Sequence, residues 1–105
     1  MLQTEVRLAP RADVSAVETV VEACCTAEGL TLTMKGTLVK YPGCVHWHFK
    51  RGQPSGTVEL TWWPQQRRLW FSVQAGRRGE WIEETTVRLK QTIEGTLWSR
   101  KATHV

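Results

Sequence analysis

Between Leu30 and Ala75 the chain carries runs in which polar and apolar residues alternate, most regularly in Cys44-Val45-His46-Trp47-His48-Phe49-Lys50. Such period-two alternation specifies a half-buried strand, because successive side chains leave a strand on opposite sides. Three further runs share it, at residues 30 to 39, 57 to 63 and 68 to 75. Pro42-Gly43 offers a turn between the first two strands, with Pro at the first central position and Gly at the second, where positive φ is needed. Polar loops at residues 51 to 56 and 64 to 67 separate the others.

Residues 2 to 8 alternate as well, with Leu2, Val6 and Leu8 on one side, until Pro10 stops them. From Asp13, a helix N-cap by type, apolar residues recur at helical spacing: Val14, Val17, Val20, Val21 and Cys24. Gly29 stands where a left-handed C-terminal residue is wanted. A second helix is expected from about Glu80 to Ser99, with a buried stripe of Ile82, Thr86, Leu89, Ile93 and Leu97. Glu80, Glu83 and Glu84 suit the positive end of its dipole, and residues 100 to 105 are expected to fray.

The order β-α-β-β-β-β-α implies an α+β fold: a two-layer α/β sandwich, mainly antiparallel, with both helices on one face of the sheet and the other face open. The 105 residues make one domain. The first strand should run parallel to the second if they share the sheet, and it belongs either beside residues 30 to 39 or beside residues 68 to 75.

Residues facing each other across a hairpin have a constant index sum, so each turn fixes a register. Pairing Tyr41 with Cys44, Lys50 with Thr57 and Trp63 with Arg68 makes the apolar sets agree. The face toward the helices then carries Leu30, Leu32, Met34, Leu38, Val45, Trp47, Phe49, Val58, Leu60, Trp62, Leu69, Phe71 and Val73. The outer face carries Thr37, His48, Glu59 and Ser72 in one row, Val39, His46, Thr61 and Trp70 in the next, and Tyr41, Cys44, Trp63 and Arg68 beyond. So aromatic a surface should be covered or used. Trp81 and Trp98 are expected at the edge of the core.

His46-x-His48 puts two imidazoles on one side of a strand, and Glu59 falls opposite His48. These three are candidate ligands for a first-row metal, and the plain alternative is a set of exposed polar residues. Cys44 and His46 share a face, but positions two apart on a strand are separated by about 6–7 Å, too far for a nucleophile and its base. Arg77-Arg78, between Gly76 and Gly79 at a helix start, resembles an anion pocket, with Lys50 and Arg51 at the same end of the sheet. Charged loop tips are ordinary solvated surface too. Tyr41, Trp63 and Trp70 with Arg68 have the layout of a single-strand binding platform, rings to stack and cations to track phosphate.

The net charge of +4 suits an anionic partner. Cys24 and Cys25 are adjacent and Cys44 is alone, so there is no C-x-x-C, zinc-knuckle spacing or paired framework, and reduced thiols are expected. The first residues lack a basic and apolar leader, and no apolar run nears the roughly 18 residues of a membrane span. A soluble, cytoplasmic protein with no membrane partner is the expectation.

The leading expectation is a small non-catalytic binding module that engages an anionic partner, single-stranded nucleic acid being the candidate. Tyr41, Trp63 and Trp70 would stack, Arg68, Lys50, Arg51, Arg77 and Arg78 would supply charge, the protein would form a homo-oligomer, and no cofactor is required. One alternative is a metal- or small-ligand-binding enzyme or sensor using His46, His48 and Glu59. Another is a purely structural homo-oligomer subunit.

Overall fold

In the computed structural model, which describes residues 2–52, 56–73 and 80–99, five strands form one sheet in the order β1-β5-β4-β3-β2 with every neighbouring pair antiparallel. The strands are β1 (Leu2–Val6), β2 (Thr31–Gly36), β3 (Val45–Lys50), β4 (Val58–Trp63) and β5 (Arg68–Val73). Helices α1 (Val17–Ala27) and α2 (Glu80–Ser99) complete the fold, and a short 3-10 turn at Val14–Ala16 leads into α1. The expected order is the observed one. β1 settles beside β5, and four antiparallel steps across the sheet leave β1 and β2 pointing the same way at opposite edges.

Both helices pack on one face. Val17, Val20, Val21 and Cys24 of α1 and Ile82, Leu89, Ile93 and Leu97 of α2 share a core with Trp47, Phe49, Val58, Leu60, Trp62, Leu69 and Phe71 of the sheet. The Asp13 side chain accepts from the Ser15 backbone N–H, satisfying a donor at the helix start, and Gly29 ends the segment at φ 83°. Trp81 packs against the core, whereas Trp98, expected at the core edge, is 60% exposed. No helix among the described residues is long and apolar enough to cross a membrane.

The register of β3 with β4 and of β4 with β5 is the expected one: His48 faces Glu59, His46 faces Thr61, and Trp63 faces Arg68. The β2–β3 register is not. Leu32 lies opposite Phe49 and Met34 opposite His48, with an irregularity between them. One extra residue reverses the facing of every later position on the strand. Met34 therefore joins the outer face, and Lys35, opposite Trp47, meets Glu18 and Glu22 of α1 at 3.4 and 2.6 Å. Leu32 and Met34 are exposed rather than core.

The cause lies in the connection. The tight turn at Pro42-Gly43 exists, closed by Cys44 N–H to Tyr41 C=O at 3.0 Å with Gly43 at φ 82°. A second turn precedes it, Tyr41 N–H to Leu38 C=O at 3.1 Å. The Cys44 sulfur accepts from the Leu38 N–H at 3.3 Å, pinning the loop to the start of β3. Residues 37–44 are thus a loop, β2 ends at Gly36, and Tyr41 lies in that loop instead of continuing a strand.

Candidate metal centre on the outer face of the sheet

Period two on β3 sends His46 and His48 to the face away from the helices, and the β3–β4 register brings Glu59 opposite His48 and Thr61 opposite His46. β5 adds Ser72 beside Glu59 and Trp70 beside Thr61, and β1 adds Gln3 beside Ser72. This face has no helix over it, yet His46, Glu59, Thr61, Trp70 and Ser72 are all buried. Part of the cover is the 37–44 loop: the Tyr41 ring sits 5.0 Å from both Trp63 and Trp70, and the Trp63 indole N–H donates to the Pro42 carbonyl at 3.0 Å.

Three donor atoms converge here. His46 Nε2 and His48 Nε2 are 3.1 Å apart, and Glu59 Oε1 lies 3.5 Å from the first and 3.6 Å from the second. A triangle with these sides has a circumradius of about 2.0 Å, which matches the bond from zinc to an imidazole nitrogen or carboxylate oxygen, about 2.0–2.2 Å. By its dimensions the triangle would admit a divalent ion at or just above its centre. Among the described residues this is the group of His, Cys, Asp or Glu side chains close enough to hold an ion.

The ring of His46 is oriented from behind, its Nδ1 2.8 Å from the Thr61 hydroxyl. The tautomer in which Nδ1–H donates to Thr61 leaves the Nε2 lone pair facing Glu59 and His48, the arrangement in which a histidine ligates metal. Burial holds the His46 pKa below that of a free imidazole, and the neighbouring His48 lowers it further, against the opposing pull of Glu59. Both effects favour the neutral ring that a metal requires.

In front of the three donors is a hollow of about 520 Å³, lined by the outer-face residues and by Met34 and Leu38 to Tyr41. Lys40 lines its rim, its ammonium 5.7 Å from the Tyr41 ring centre and without an ion pair to any described residue. The sequence pointed to the two histidines and Glu59 but not to Lys40, Met34 or Leu38. Their place depends on the course of the loop, and the break in alternation at Leu38-Val39 is the one hint of it.

Several of the other candidates, Trp70, Arg68 and Arg51 among them, are engaged inside the chain. Trp70, expected to present its ring to a ligand, is 1% exposed, with Tyr41 edge-on and the Arg68 guanidinium 4.6 Å from its centre. Arg68 also forms an ion pair with Glu5 of β1 at 2.5 Å. Arg51 bonds Glu28 at 3.2 Å and Thr85 at 3.1 Å and lies against Trp81. Lys50 is exposed at the end of β3, Trp63 is half-buried, and Arg77 and Arg78 lie outside the described residues. Cys44 is buried and turned to the Leu38 amide.

The chain matches no protein-family model, no curated protein and no solved structure.

Proposed function

We propose that this domain binds a first-row divalent metal ion through His46, His48 and Glu59 and presents it to a ligand in the adjoining hollow. The observation that carries the reading is the size of the donor triangle, 3.1, 3.5 and 3.6 Å on its sides. Two imidazoles and a carboxylate suit zinc, iron(II), cobalt(II) or manganese(II) better than copper(I), which prefers thiolate and thioether. Three protein ligands facing a hollow leave coordination positions for water or a ligand, whereas structural zinc sites are closed by four.

Single-stranded nucleic acid on the same face has less support. It asks for free rings and free cations, and Trp70 is covered while Arg68 and Arg51 are paired within the chain. The metal reading uses the three donor groups as they stand.

Metal analysis and titration calorimetry of the purified protein test the proposal. One equivalent of zinc or cobalt bound, raising the melting temperature and lost in His48→Ala and Glu59→Gln, is the expected result. No stoichiometric zinc, iron, cobalt, copper or manganese, with no thermal shift on adding them, eliminates it.

A further inference from the structure

Resting on the metal proposal, the charge and lining of the hollow point to one class of ligand, and we infer that it is a small organic carboxylate with an apolar body. The charged side chains that line the hollow are Glu59 and Lys40. A divalent ion on two neutral imidazoles and the Glu59 carboxylate retains a net positive charge, and the Lys40 ammonium adds a second with no acidic partner among the described residues. An anion is therefore favoured over a neutral or cationic ligand.

One side of the hollow, away from the donor atoms, is apolar: Met34, Leu38, Val39 and Tyr41 line it. Val39 is 97% exposed and Met34 39% exposed at its edge, with Leu38 and Tyr41 beside them. A volume of about 520 Å³ lies within the span of small-molecule sites, about 300–1,000 Å³. The carboxylate takes an open position on the ion, Lys40 pairs with the same group, and the apolar body lies against Val39, Met34 and Leu38.

Cobalt(II) is the probe, because its visible absorption changes when a ligand enters its coordination shell. The full chain is loaded with cobalt and titrated with hexanoate, acetate and hexanamide. Hexanoate is expected to change the spectrum saturably and to bind about tenfold or more tighter than acetate, from the methylene groups it buries. Hexanamide, of the same shape without the charge, leaves the spectrum unchanged. At saturating cobalt, Lys40→Met weakens hexanoate about two- to fivefold, as befits an exposed ion pair. A chain that takes up no cobalt fails the metal reading and this one with it. A chain that takes up cobalt but whose spectrum ignores hexanoate, or answers hexanamide equally well, overturns this inference alone.

Discussion

His46 Nδ1 stands 2.8 Å from the hydroxyl of Thr61, directly across the β3–β4 pair, and both residues are buried. The bond fixes the far nitrogen of the ring toward Glu59 and His48, so under the proposed metal binding Thr61 would orient His46 without itself being a ligand. Thr61→Val keeps the shape of the side chain and removes its oxygen. Metal affinity, measured by competition with a chelator, is expected to fall about 10- to 100-fold, and Thr61→Ser should restore most of it. Unchanged affinity in Thr61→Val would show that the ring needs no such support.

Trp70 lies on the outer face but behaves as core, at 1% exposure between Tyr41 and Arg68. Trp70→Ala is therefore expected to cost about 3–5 kcal/mol in urea unfolding, as for large buried aromatics. Trp70→Phe should recover a good part of that. A loss below about 1 kcal/mol would mean that the ring is a free surface after all.

Contacts were legible in the sequence to the extent that they are local. The His46, His48 and Glu59 alignment needs only period two on β3 and the β3–β4 register, and it is found as expected. The β2–β3 register differs because an irregularity between Leu32 and Met34 and an eight-residue loop replace the simple hairpin, marked in the sequence only by the break in alternation at Leu38-Val39. The direction of Trp70 was readable but its burial was not, since Tyr41 reaches it from that loop. The place of Lys40 depends on the same loop. The place of β1 beside β5 depends on pairing across the whole chain, which no hairpin specifies.

Glu28 lies just past the last turn of α1 and takes a bidentate bond from Arg88 of α2, at 3.0 and 3.1 Å, plus one from Arg51 at 3.2 Å. The Arg88 hydrogen bonds, aided by its charge and by Arg51, hold the Glu28 carboxyl below its usual value of 4.5. A carboxyl with a lowered native pKa stabilises the fold above its unfolded pKa, and that contribution fades as pH falls through the native value. Glu28→Gln should melt a few degrees below the parent at neutral pH, and the gap should narrow as pH drops below 4.5. Melting curves across that range check it, and a gap independent of pH would contradict the assignment.

Cys25 is fully buried on α1, and burial, reinforced by the nearby Cys24, Glu28 and Glu22, pushes its thiol up to about 12. Cys24 is raised by burial as well, and Cys44 is buried with its sulfur held by the Leu38 N–H. Only the thiolate attacks a disulfide reagent, so burial both shields Cys25 and holds it in the unreactive thiol form near neutral pH. All three free cysteines should resist an aromatic disulfide reagent in the native protein and react together in denaturing urea. Native labelling then proceeds through opening of the fold, so a metal that binds the folded form should slow it further by mass action. Mass spectrometry of the labelled chain reads both effects, and rapid labelling of Cys25 in the native protein would show that α1 does not shield it.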